Sequence, residues 1–123
     1  MTDSKILDTS VWIAYLFEGK YKQEIENDEQ LFLSVLSLFE INAKLLKRKV
    51  KDGEVRDKVN FIKKRSIVLP IDEKTAEIAA GLSIEKNIPA IDSLIYASAI
   101  KNDLELITLD NDFRGLAKAK VLN

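Results

Sequence analysis

Short apolar runs alternate with helical patterns along the whole chain, and no other feature restricts its fold as tightly. Lys5-Ile6-Leu7, Leu31-Phe32-Leu33, Ile67 to Ile71, Leu104 to Leu109 and Val121-Leu122 read as strands. Val11 to Phe17 reads as a helix that is apolar nearly all round, and Tyr21 to Gln30 as a solvated, acid-rich helix or loop. Leu36, Phe39, Ala43, Leu46 and Val50 are spaced as one face of a long amphipathic helix. Asp52-Gly53 reads as a turn, and Val55, Val59 and Ile62 as a second helix on the same period. Asp72 opens a further helix with Ala76, Ala79 and Ala80 on one face, and Ile91 to Ile100 is a central apolar helix. Asp110 to Lys118 reads as a turn and short helix. Strands alternating with helices predict an α/β domain: a small, mostly parallel sheet with right-handed crossovers laying helices on both faces. With 123 residues, the expectation is a single domain spanning 1–123.

Composition narrows the chemistry. The chain has no histidine and no cysteine. That removes disulfides, zinc sites of the Cys/His kind, cysteine nucleophiles and any histidine base. Its 19 Lys and Arg against 20 Asp and Glu argue against coating nucleic acid by bulk charge. No stretch is apolar for long enough to cross a bilayer. Met1-Thr2-Asp3-Ser4-Lys5 does not lead into a signal-peptide core, because Asp8, Thr9 and Ser10 interrupt the apolar run. A cytoplasmic protein without membrane partners is therefore expected.

Ligands of parallel sheets bind beyond the carboxyl ends of the strands, so acids at those ends are the most informative. Asp8 follows the first strand directly. Asp110 follows Leu106-Ile107-Thr108-Leu109, with Asp112 two residues on. Glu40 borders the apolar stripe of its helix, and Asp92 opens the most apolar helix of the chain. Each has an ordinary explanation by itself. Asp8 can cap the helix after it, Asp92 suits a helix first turn, and Glu40 can pair with Lys44 at i,i+4 for roughly 0.3–0.5 kcal/mol. Asp110-Asn111-Asp112 can be a polar turn, and Asp72 reads as a helix cap with no acid to cooperate with.

Together they conflict. Two unit charges ~4 Å apart cost about 4 kcal/mol at an effective dielectric near 20, against roughly 5–15 kcal/mol of total stability. Protonation or a bound divalent cation resolves such a cluster. With only oxygen donors available, that cation should be Mg2+ or Mn2+, and an all-carboxylate site of this kind suits phosphate chemistry.

Four segments carry a family resemblance: Ile6-Leu7-Asp8-Thr9-Ser10-Val11-Trp12, Leu38-Phe39-Glu40-Ile41, Asp92-Ser93-Leu94-Ile95-Tyr96-Ala97 and Leu106-Ile107-Thr108-Leu109-Asp110-Asn111-Asp112-Phe113. They look like the four acidic motifs of PIN-domain ribonucleases. In order, spacing and length the chain most resembles the VapC-type toxins of toxin–antitoxin pairs. The resemblance implies a PIN-like fold and metal-dependent endonucleolytic cleavage of RNA. Asp8, Glu40, Asp92 and Asp110 would hold Mg2+ or Mn2+, with Asp112 an additional acid and Ser10 and Thr108 organising hydroxyls. It also implies a homodimer and a cognate antitoxin that inserts a segment into the acidic pocket.

Lys44, Lys47, Arg48, Lys49 and Lys51 crowd the end of the long helix, where the helix dipole favours cations whether or not RNA binds there. Trp12 and Tyr15 read as core or dimer-interface residues. Two other readings stand beside the nuclease. One is a PIN-like module that binds RNA or protein without cutting. The other is a phosphoacceptor receiver-like domain, for which the middle strand yields only Asp72 and no Lys follows the last strand in the expected setting.

Overall fold

The computed structural model describes residues 4–123; Met1-Thr2-Asp3, the start of the segment considered as a leader, lies outside the described residues. The elements are β1 (Lys5–Leu7), α1 (Thr9–Glu18), α2 (Lys22–Ile25), β2 (Leu31–Ser34), α3 (Val35–Lys47), α4 (Asp52–Arg65), β3 (Ser66–Leu69), α5 (Glu73–Lys86), α6 (Ala90–Lys101), β4 (Glu105–Thr108) and β5 (Ala119–Val121), with a 3-10 turn at Asn111–Phe113. The five strands are parallel in the order β3-β2-β1-β4-β5. From β1 the chain first winds outward through β2 to β3, then returns through α5 and α6 to lay β4 on the other edge of β1. The order therefore reverses between β1 and β4, and a crevice opens there beyond the strand ends.

The strands are short apolar runs because both faces of the sheet are covered. Leu7, Leu31, Leu33 and Ile107 face Val11, Trp12, Ile41, Leu45, Val55 and Ile62 of α1, α3 and α4. Their neighbours Ile6, Phe32 and Leu106 face the other way, toward Ile95, Tyr96 and Ala99 of α6 and toward Phe113. Side chains alternating between two faces account for both clusters. Among the described residues no helix is long and apolar enough to cross a membrane.

Three local expectations change. The apolar face expected for α3 is not the buried one. Ser37, Ile41 and Leu45 point inward, while Phe39 is 69% and Leu46 59% exposed. Two apolar stripes run along this helix, and the junction with β2 selects between them. Ser34 ends the strand and also caps the helix, accepting from the Leu36 amide at 3.1 Å, so the strand sets the helix phase without a linker. Asp52-Gly53 is not a turn but the first turn of α4. The reversal comes earlier, where Lys49 adopts a left-handed conformation (φ 57°) and the Val50 amide bonds the Leu45 carbonyl at 3.1 Å. Strand β3 stops at Leu69, ahead of Pro70, which could donate nothing to the ladder.

Candidate active site

Asp8 is the residue that turns β1 into α1. Its amide continues the ladder, donating to the Ile107 carbonyl at 2.9 Å. It occupies the N-cap position of α1, yet its side chain makes no cap bond. The residue is only 7% exposed. Its Oδ2 accepts from the Ser10 hydroxyl and from the Thr108 hydroxyl, both at 2.8 Å. Each hydroxyl is itself fixed from behind: Ser10 Oγ accepts from the Leu109 amide at 3.1 Å, and Thr108 Oγ1 from the Asp110 amide at 3.0 Å. The backbone after β4 thus orients two hydroxyls onto one oxygen of Asp8, and among the described residues no donor reaches Oδ1.

Glu40 lies on α3 one turn beyond Ser37, beside the buried stripe. The surface pair with Lys44 is not formed; instead Glu40 Oε1 accepts from the Thr9 hydroxyl at 2.7 Å. Asp110 caps the 3-10 turn, its Oδ1 accepting from the Asp112 amide at 2.9 Å. Asp92 is in the first turn of α6, half-buried and without a hydrogen-bond partner among the described residues. Burial first, and then the charges of Asp8, Asp110, Glu40 and Asp112, push its carboxyl up to about 6. Those named neighbours show that acids from four separate segments do converge.

The acids meet at a cavity of about 550 Å³. Asp8, Ser10, Glu40, Asp92 and Asp110 line it, with Thr9, Ile13, Ala14 and Leu109 as further wall and Glu18, Lys20, Tyr21 and Lys44 beside them. Thr108 is fully buried and reaches the cavity only through Asp8. Asp112 is exposed and borders a neighbouring hollow with Lys86, Asn87 and Pro89, so it acts on Asp92 by charge and not as a wall residue. Of the basic cluster only Lys44 reaches the cavity. Lys47 and Lys49 are exposed away from it, and the Arg48 guanidinium lies over the Phe17 ring at 4.0 Å. Trp12 is fully buried, edge-on to Tyr15, which stacks on Phe61; both are packing residues.

Thr9, Lys20 and Tyr21 are site residues that sequence reasoning passes over. Thr9 stands there only as part of the polar run that ends the first strand. Lys20 and Tyr21 come to the cavity because Gly19 (φ 67°) and Tyr21 (φ 61°) both turn left-handed after α1. Gly19 is the only sequence signal of that reversal.

The donor set suits a hard divalent cation. The acids and hydroxyls of the wall offer oxygen alone, and the mutual repulsion registered at Asp92 is what a cation would relieve. Among the described residues no three carboxylates form a ready-made cage.

A family model described as the PIN domain matches residues 5–119. No curated protein matches the sequence. Several solved structures share the fold. A toxin–antitoxin complex from Klebsiella pneumoniae is 24% identical, covering 96% of this chain and 97% of that one, with a TM-score of 0.80. VapBC2 from Rickettsia felis, bound to a promoter DNA fragment, is 16% identical with 97% of each chain covered and a TM-score of 0.77. VapC20 from Mycobacterium tuberculosis, described as a Sarcin-Ricin loop cleaving toxin, is 17% identical, covering 93% and 95%, with a TM-score of 0.70.

Proposed function

The chain belongs to the PIN domain family, and from that premise we propose that it is a Mg2+- or Mn2+-dependent endoribonuclease, the toxin of a toxin–antitoxin pair. The observation that carries the proposal is the convergence of Asp8, Glu40, Asp92 and Asp110 on one cavity at the point where the strand order reverses. Those four carboxylates would hold the cation. A divalent cation supplies activation of water and neutralisation of charge on phosphoryl oxygens.

The chain's own residues do the rest. Ser10 and Thr108 fix Asp8 through its Oδ2 and leave Oδ1 facing ligand. Burial and the neighbouring acids raise the Asp92 carboxyl, and a bound cation would relieve that repulsion. Lys44 and Lys20 offset the acidic wall for an incoming phosphodiester. Asp112 adds negative charge from outside the wall. Lys47, Arg48 and Lys49 would extend the phosphate-binding path along α3, with Arg48 first leaving the Phe17 ring.

The partners follow the same reading. The RNA substrate is supported by the fold shared with a toxin described as cleaving the Sarcin-Ricin loop, and a cognate antitoxin by the fold shared with toxin–antitoxin complexes. A homodimer is supported by the exposed Val35, Phe39 and Leu46 of α3, apolar positions that the domain itself leaves uncovered. The proposed setting is the cytoplasm.

The test is a side-by-side incubation of wild type and Asp8→Asn with structured RNAs, under Mg2+, Mn2+ or chelator. Discrete cuts by the wild type alone, lost with chelator, are expected. Cleavage by Asp8→Asn, or Mg2+-independent binding with no cutting, would overturn the nuclease in favour of an inert RNA-binding module. Labelling by acetyl phosphate would point to the receiver-like alternative.

A further inference from the structure

Both side chains that begin α1 are turned away from the helix. Asp8 at the N-cap makes no cap bond, and the hydroxyl of Thr9, the first helical residue, crosses to α3 and donates to Glu40 Oε1 at 2.7 Å. Thr9 is 5% exposed, so this is not a solvated surface contact. It is the one hydrogen bond made by the Glu40 carboxylate among the described residues.

The arrangement has a physical logic. Asp8 and Asp110 are short acids held by local hydroxyl and backbone donors. Glu40 must reach the same cavity on a longer side chain, with one more rotatable bond and a lysine four residues on. That lysine, Lys44, would draw the carboxylate outward along the helix surface. A threonine hydroxyl suits the opposing task. Its branched Cβ makes χ1 stiff, and in mid-helix the hydroxyl commonly bonds the carbonyl of the preceding turn. At the first helical position there is no preceding turn, so the hydroxyl is available to another element.

We propose that Thr9 is a positioning residue for the reaction: its hydroxyl pins Glu40 Oε1 and so presents Oε2 to the divalent cation. The inference rests on the endoribonuclease reading and deepens it. A hydrogen-bond partner behind a metal ligand typically sets 10–100-fold in metal affinity.

The experiment measures Mn2+ binding by titration calorimetry on the whole chain, with metal-dependent RNA cleavage as a second readout. Thr9→Val keeps the shape and removes the donor; it should weaken Mn2+ binding about tenfold and raise the Mg2+ needed for half-maximal cleavage to match. Thr9→Ser should recover most of both. In a Glu40→Ala background, Thr9→Val should change Mn2+ affinity little, because its target is gone. Unchanged Mn2+ affinity in Thr9→Val, or an equal loss with and without the Glu40 carboxylate, overturns the positioning role. A wild type that neither binds Mn2+ nor cleaves RNA overturns the underlying nuclease reading, and is distinguished from failure of the positioning role by that control alone.

Discussion

Asp8 and Asp72 stand at equivalent places in two βα units, and their surroundings could hardly differ more. Both lie between a strand and a helix, and both occupy the N-cap. Asp72 caps its helix fully: Oδ1 accepts from the Thr75 amide at 2.9 Å and the Thr75 hydroxyl at 2.7 Å, while the Lys101 ammonium takes Oδ2. That ammonium, with the two donors of Thr75, holds its carboxyl well below the usual carboxylate range. Asp8 contributes no such bond to α1. It lines a cavity with Glu40, Asp92 and Asp110. One aspartate serves the helix that follows it; the other leaves its helix uncapped and serves a site. The junction itself reads the same in both, a strand, an aspartate and a helix, and the sequence separates them only in that Asp72 has no acid to cooperate with. The distinction comes from what the sheet places beside each.

The largest effect should separate the pair directly. Asp8→Asn should reduce metal-dependent cleavage by more than ~100-fold, beyond the loss typical of a ligand's outer partner, with the melting temperature unchanged or raised. Asp72→Ala should leave cleavage intact. Cleavage assays and thermal melts on both variants decide it; an active Asp8→Asn protein would dissolve the comparison.

Stability against pH sharpens it further. A carboxyl raised to about 6 binds its proton more tightly in the folded protein than in the unfolded chain. The stability from Asp92 is therefore fully present below the ordinary carboxylate pKa and is lost as pH rises from about 4 to about 6. Discounted for a half-exposed group, the loss is about 1–2 kcal/mol. Denaturant melts of metal-free protein should show it, and Asp92→Asn should flatten it. Asp72 has the opposite sign. Its contribution is present above the ordinary carboxylate range and disappears as pH falls below about 4 toward its depressed value. Asp72→Ala should remove that acid limb and lower the melting temperature at pH 7 by about 3–6 °C, the scale of a lost cap in a domain of this size.

The smallest effect concerns the lysines. Lys101 is engaged by Asp72, whereas Lys44 lines the acidic cavity with no ion pair among the described residues. Lys44→Gln should reduce RNA affinity and lower the slope of log affinity against log salt by about 1, as expected for one phosphate contact. Lys101→Gln should leave that slope alone.

Much of the fold and the acidic site is legible in the residues alone. The strands can be read because burial on both faces makes them continuous apolar runs, and Asp8 and Asp110 stand out because they follow those runs. The phase of α3 cannot be read: Leu36, Phe39, Ala43 and Leu46 form as good a stripe as Leu38, Ile41 and Leu45, and only the junction at Ser34 chooses between them. The turn ahead of α4 is easily misplaced because a lysine, not the nearby Gly53, takes the left-handed conformation. Thr9 is hidden by a similar ambiguity, a hydroxyl of a kind common at helix starts whose true partner is 31 residues away.

The pairing of β1 with β4 also has a consequence in time. On the ribosome, β1, β2 and β3 emerge in the order in which they pair, so half the sheet can assemble as it is made. Thr108, which completes the seat of Asp8, is synthesised a hundred residues after it. Until β4 docks, one edge of β1 is bare and the acids have no common wall. The pocket thus waits on β4, and a nascent chain that ends before it carries Asp8, Glu40 and Asp92 without the site that joins them.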